Sequence, residues 1–325
     1  MRIALLGAGF TRNWGGWLAS EIVGELCGRV HDDNDLLRML KMTRNFEQVL
    51  GEVRQQANRG PSEQRRFERL QQAVLETFEE MNQMLAAQDF EFFAPGNPGR
   101  WLVTFLAEFD AIFTLNQDLM LELHYVPGRT VPDRRKWRAT AYPGIVLPNK
   151  WLDAAPPERL GPVLSEADKH DHDPQDQPIY KLHGSVNWRT KDGTPIVVIG
   201  GSKDESIRGS SLLSGYLEAF RKYLSAGNTR LMIIGYGFAD EHVNTLIKDA
   251  SLSYGLQTYL VNPAGLSVFD PPPHALIAPV NETFNAMRLT GIMTRPFRDA
   301  FRVDELLFHS LWRFMNGEPP LKTYV

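Results

Sequence analysis

Apolar residues along this chain fall into two alternating patterns. Short continuous runs occur at Ile3–Leu6, Ala111–Leu115, Ile179–Leu182, Pro195–Ile199, Arg230–Ile234 and Gln257–Val261. Runs of this length and make-up predict strands, and Ile3–Leu6 has the pattern of one buried on both faces of a parallel sheet. Between them, apolar positions recur every three or four residues, the helical spacing. Leu36, Leu37 and Leu40, then Phe46, Val49, Leu50 and Val53, follow it until Asn58-Arg59-Gly60-Pro61 interrupts. A second helix opens near Ser62 with Phe67, Leu70, Val74, Phe78, Met81 and Leu85 on one side. Leu212, Tyr216, Phe220 and Leu224 mark another, and Leu306, Leu307, Leu311 and Trp312 a C-terminal helix over Val303–Met315.

Strands alternating with helices specify an α/β fold, a Rossmann-like doubly wound parallel sheet. Residues 34–95 read as an inserted helical lobe, leaving 1–33 and 96–302 as the main domain and 303–325 as a C-terminal helix and tail. Beyond Pro263 the chain reads as little more than that tail. Residues 126–178, rich in proline and charge, read as a long irregular excursion. Its His170-Asp171-His172-Asp173 run is expected to be a solvated loop, and no metal site is expected.

The strands share a manner of ending. Gly7-Ala8-Gly9 follows the first, and the glycines are expected to bring backbone N–H groups close to a phosphate, helped by a helix from about Gly16 to Gly28. The dehydrogenase pattern G-x-G-x-x-G is not met, because Arg12 stands at the third glycine. Asn116-Gln117-Asp118 ends the second strand, where an amide and a carboxylate share a pocket or simply cap a helix. His183 ends a third run and Gly184-Ser185 breaks it, which presents an imidazole to a crevice. Imidazole is the side chain suited to moving protons near neutral pH. Gly235-Tyr236-Gly237 and Asn262-Pro263 close two more strands, with Asp240 expected as a helix N-cap. Open α/β sheets bind ligands at the carboxyl ends of their strands.

Charge narrows the function classes. With 35 basic and 39 acidic residues, net charge −4, direct nucleic-acid binding is not expected. One cysteine, Cys27, excludes an internal disulfide and a multi-cysteine zinc site. No apolar run approaches ~18 residues; no membrane association and a cytoplasmic location are expected.

The ordered set G-A-G-F-T, T-L-N-Q-D, K-L-H-G-S, I-I-G-Y-G-F-A-D-E-H-V-N and V-N-P resembles the sirtuin superfamily. It looks closest to the sirtuin-like domains of bacterial antiphage defence systems. The resemblance implies NAD as substrate. Gly7, Ala8, Gly9, Phe10 and Thr11 would line its pyrophosphate and nicotinamide side, and Asn116 and Asp118 would lie near the nicotinamide ribose. His183 matches the catalytic histidine, Gly235 and Tyr236 would contact the far half, and Asn262 would stand beside the adenosine ribose. Two departures stand out: the four-cysteine zinc ribbon of protein-deacylating sirtuins cannot form, and Asn13-Trp14-Gly15-Gly16-Trp17 replaces their proline-aspartate-phenylalanine-arginine segment.

The expected activity is therefore NAD hydrolysis to nicotinamide and ADP-ribose, with Asn116, His183 and Asp118 as catalytic residues and no zinc. The alternatives are a deacylase or ADP-ribosyltransferase, or an NAD-sensing module without turnover. Because an unrestrained NADase would starve its own cell, control by assembly is expected. The resemblance implies an abortive-infection effector forming homo-oligomers, partnered with a hexameric DNA-translocating ATPase; the helical lobe and C-terminal helix are the expected contact surfaces.

Overall fold

The computed structural model of the chain describes residues 1–92, 101–126, 136–148, 151, 154–165, 172–200, 203–270, 282–302 and 304–318. β1 (Arg2–Leu6) enters a short α1 (Ala8–Thr11) and a 3-10 turn, and α2 (Ala19–Arg29) follows. The first long helix thus starts at Ala19 rather than Gly16; Gly15, at φ 90, and Gly16 belong to the turn before it. Next come α3 (Asn34–Thr43), α4 (Phe46–Gln56) and α5 (Pro61–Ala86). Asp33 and Asn45 cap α3 and α4, and proline begins α5, where its missing N–H costs nothing. α6 (Leu102–Ala107) leads into β2 (Ala111–Thr114) and α7 (Met120–His124).

The stretch read as irregular holds three short strands, β3 (Ala139–Ala141), β4 (Ile145–Val146) and β5 (Val163–Ser165), before β6 (Asp176–Lys181). Too short to show a period, they form by pairing: β3 on β6, β5 on β7, and β4 on β5. His170 and Asp171 lie outside the described residues; Asp173 caps the Gln175 amide and pairs with Arg138 at 2.8 Å. β7 (Gly184–Arg189), β8 (Pro195–Val197), α8 (Lys203–Arg208), α9 (Ser211–Leu224), β9 (Arg230–Ile234), α10 (Glu241–Tyr254) and β10 (Gln257–Val261) follow. The expected tail instead contributes α11 (Glu282–Ala286), β11 (Arg288–Met293) and α12 (Phe297–Arg302) before α13 (Glu305–Asn316).

The main sheet runs β11-β10-β9-β1-β2-β6-β3, and every pairing in it is parallel. Leaving aside β3 at the edge, chain order across it is 3-2-1-4-5-6, the doubly wound arrangement whose switch point lies between β1 and β9. A second sheet, β4-β5-β7-β8, stands beside it. Strands β1, β2 and β9 are nearly all buried aliphatic, as a sheet covered on both faces requires. The lobe helices bury Leu36, Leu40, Val49, Leu70 and Phe78 in the same continuous core as the sheet. Trp14 stacks on Phe90 and Phe92, with centroids at 5.2 and 4.6 Å, tying the first glycine turn to the lobe's exit. Among the described residues no helix is long and apolar enough to cross a membrane.

Candidate functional site

The switch point is built from glycine against glycine. The Gly7 amide donates to the Ile234 carbonyl and the Gly9 amide to the Gly235 carbonyl, both at 2.9 Å. A Cβ on Gly9 would stand 2.7 Å from Gly235 Cα, and one on Gly235, at φ 65, 2.3 Å from the Gly9 carbonyl carbon. The glycines are therefore needed to let two loops touch backbone to backbone. The Gly7, Gly9 and Phe10 amides are all bonded inside the protein. Beside this contact opens a cavity of about 340 Å³, whose lining includes Gly9, Arg12, Asn13, Gly235, Pro263 and Arg298. Tyr236 and Asn262 do not line it but follow or stand between the lining residues Gly235, Val261 and Pro263: Asn262 Nδ2 donates to the Tyr236 carbonyl at 3.1 Å, and the Tyr236 hydroxyl bonds the Asp240 backbone.

One strand further on, Asn116 follows β2. Its Nδ2 donates to the Gly7 carbonyl at 3.0 Å and to Thr11 Oγ1 at 2.9 Å. Asp118 accepts the Met120 amide at 3.0 Å, as a helix cap does, yet it also faces the same small space. The N-cap of α7 is Leu119, so this bond belongs to the turn just before the helix. Burial raises its carboxyl above the ordinary carboxylate range, and the nearby Lys181 ammonium and the Met120 amide offset only part of that. Phe10, Thr11, Asn116, Asp118, Met120 and Lys181 help enclose about 10 Å³, room for about one water.

His183 sits where the chain leaves the main sheet. β6 ends at Lys181, and Gly184, at φ 69, turns the chain directly into β7 of the second sheet. Gly184 and Ser185 thus begin a strand rather than break one. Only glycine fits the turn, because a Cβ there would lie 2.1 Å from the Ile196 carbonyl oxygen of β8. The ring is 2% exposed. It hydrogen-bonds the Leu115 carbonyl, next to Asn116, and its Nε2 lies 3.1 Å from His242 Nε2. Burial drives its pKa down to about 3, with Asp240 opposing and Lys203 and His242 assisting the fall.

Asp240 holds the predicted N-cap position of α10, but its side chain makes no cap bond. It accepts instead from Lys203 Nζ at 2.7 Å and stands 3.9 Å from His183 Nε2. Lys203 makes a second ion pair, at 2.7 Å, with Glu47 of the lobe.

Gly7, Gly9 and Gly235 thus meet at the switch point, with Ala8 following Gly7, while Phe10, Thr11, Asn116 and Asp118 meet around the small space. His183 lines neither of these two cavities; the Leu115 beside its ring lies between Thr114 and Asn116, which line the smaller one. The sequence reading passed over Lys203, His242 and Arg298, all charged or titratable groups at this edge. His242 was within sight, since it belongs to the quoted A-D-E-H run; Arg298 carried no local signal.

The family profile described as SIR2-like domain matches residues 110–278, from β2 past β10. No curated protein matches the chain. The matched segment contains Asn116, Asp118, His183, Gly235 and Asn262, while the fold places β1 and its glycine turn at the centre of the same sheet. By this match, which covers half of its length, the chain belongs to the SIR2-like family.

Proposed function

We propose that this chain hydrolyses NAD at the nicotinamide–ribose bond. SIR2-like domains use NAD as substrate. The observation that carries the finer reading is the pairing at adjacent strand ends. Asn116 and His183 each lie two residues beyond the register pair Thr114–Lys181 of β2 and β6, bridged by the ring's bond to Leu115. The 340 Å³ cavity is of a size for the adenosine–pyrophosphate half, with Arg12 and Arg298 as cationic partners for the phosphates. The nicotinamide riboside half would run along the carboxyl edge toward Asn116. The 10 Å³ there is too small for it, so Phe10, Met120 and Leu121 must shift on binding.

In the reaction the C1′–N bond breaks with its electron pair going to nicotinamide, which leaves neutral. The ribose carbon gains oxocarbenium character and a water attacks it, losing a proton. Asn116 orients that water and the ribose. His183, kept neutral by burial, accepts a hydrogen bond from the water or a ribose hydroxyl, and Asp240 stabilises the imidazolium as the proton arrives. Asp118 acts on Thr11 and Asn116 electrostatically.

Incubating the purified chain with NAD and separating the products tests the reading. Nicotinamide and ADP-ribose are expected in equal amounts, and Asn116→Ala and His183→Ala should each lower release by roughly 10²–10⁴-fold with native circular dichroism retained. Near-normal release by both variants would refute the assignment; labelled protein or acylated ADP-ribose would move it to a transferase. We further propose that assembly or a partner activates the enzyme, as an antiphage effector requires, through the lobe that Lys203 and Glu47 connect to the site. A monomer fully active without any partner would contradict that control.

A further inference from the structure

His183 and His242 face each other through their Nε2 atoms, at a spacing that either one shared proton or a cation can fill. The Leu115 carbonyl stands beside the His183 ring as an acceptor for its outward N–H. Asp204 Oδ1 stands 3.4 Å from His242 Nδ1, a carboxylate that calls for an N–H on that nitrogen. With protons on those outward nitrogens, both Nε2 atoms carry lone pairs, and they lie 3.1 Å apart. Two lone pairs at that distance repel, whereas a cation beside them turns the same geometry into coordination. A third donor is present: Asp240 Oδ1 is 3.9 Å from His183 Nε2, and the donor atoms of all three residues lie within 4.8 Å of one another.

The surrounding charge points the same way. Glu47, Asp204 and Asp240 supply three negative charges against Lys203 and the Arg208 that pairs with Asp204 at 4.0 Å, which leaves a negative surplus beside the histidines. We propose that His183, His242 and Asp240 bind a divalent transition ion of the zinc class. In a tetrahedral zinc site with Zn–N near 2.0–2.1 Å, two ligating nitrogens lie roughly 3.3 Å apart. The two rings need to separate by only a few tenths of an ångström, and Asp240 must close in. The Leu115 carbonyl and the Asp204 carboxylate already stand where ligating histidines place their outer hydrogen-bond partners. Lys203 keeps its bond to Asp240, whose oxygen has a second lone pair for the metal. Three protein donors leave a fourth position open to water.

Such an ion occupies the lone pair that hydrolysis needs on His183, so it holds the enzyme off. That consequence rests on the proposed function; the site itself does not. The test is competition for Zn²⁺ between the full chain and a chromophoric chelator, with nicotinamide release followed in parallel. One zinc per chain is expected at micromolar or tighter affinity, and removing a ligand by His242→Ala or Asp240→Asn should weaken it by at least about 100-fold. Asp204→Ala, at an exposed residue whose loss does not endanger folding, should weaken it by about 10- to 100-fold. Zinc should also inhibit nicotinamide release, with a correspondingly higher dose needed in the Asp204 variant. No binding by the wild type, or equal binding by all three variants, overturns the site. Stoichiometric, His242-dependent binding by a chain that releases no nicotinamide upholds the site and sinks the hydrolysis reading. Release that zinc leaves untouched, with no zinc bound, does the reverse.

Discussion

His183 is held as a neutral ring by its surroundings, and that has a thermodynamic signature. In the unfolded chain its pKa is near 6.5, while in the folded protein burial takes it to about 3. Between those values the unfolded state binds a proton that the folded state refuses. Stability contributed by the neutral ring is therefore complete above pH 6.5 and is lost as pH falls toward 3. His242 is shifted in the same direction, chiefly by burial. Urea unfolding at pH 7 and at pH 5 should show a lower midpoint at pH 5, with a slope of at most about 1.4 kcal/mol per pH unit for each histidine. His183→Gln should flatten that dependence even if it lowers stability at both values. The raised carboxyl of Asp118 works in the opposite sense at lower pH, so the difference between wild type and variant is the quantity to read. An unchanged slope in the variant would mean that the ring titrates alike in the folded and unfolded chain. The sequence made His183 and its glycine visible because a turn needing φ 69 leaves a mark in residue type. It could not reveal Asp240's use, since an N-cap aspartate and an ion-paired one look alike until Lys203, 37 positions away, is brought beside it.

At the scale of elements, the passage from β6 to β7 depends on a charge buried in the interior. Lys181, the last residue of β6, is 1% exposed and Glu122 of α7 is 0% exposed. The Lys181 ammonium donates to Glu122 Oε1 at 2.6 Å, to the Asp118 carbonyl at 2.5 Å and to Ser185 Oγ at 2.9 Å. One cation thus ties β6, α7 and β7 together and fixes both strand ends that carry Asn116 and His183. Lys181→Met leaves Glu122 buried without a counter-ion and should cost about 3–5 kcal/mol by urea unfolding, whereas Lys181→Met with Glu122→Leu should recover most of that loss. If the double variant is as unstable as the single, packing rather than charge governs the junction. Such a pair is invisible in sequence, because Lys181 sits in an apolar strand run whose lysine gives no sign of burial. The helices of the lobe were legible for the opposite reason, since their apolar stripes repeat over ten or more residues, but the break at Arg44-Asn45 that divides α3 from α4 was not read. β3, β4 and β5 are two or three residues each and owe their existence to pairing partners far along the chain, so residues 126–178 read as loop.

For the molecule as a whole, parallel pairing puts the carboxyl ends of β1, β2, β6, β9 and β10 on one edge, and the sequence predicted each of these strands from its own residues. What it did not predict is that the segment after Pro263 returns to complete that edge. β11 alternates poorly and carries Gly291, which a side chain would drive to within 2.5 Å of the Tyr259 ring, so neither period nor composition announced a strand. Through β11 and α12 this segment brings Phe297 and Arg298 to the 340 Å³ cavity opposite Gly9 and Gly235. The Arg298 amide donates to Asn13 Oδ1 at 3.1 Å, which locks the segment onto the first glycine turn. If the dinucleotide's phosphates lie there, Arg298 contributes to binding and is remote from the bond that breaks. Arg298→Ala should then raise KM for NAD by about tenfold, the worth of one charge-assisted hydrogen bond at an exposed position, with kcat nearly unchanged. The effect should shrink as salt is added, because an exposed guanidinium is screened. A fall in kcat at constant KM, measured by initial rates of nicotinamide release, would instead put Arg298 at the reacting end and reverse the direction in which the dinucleotide lies along the sheet.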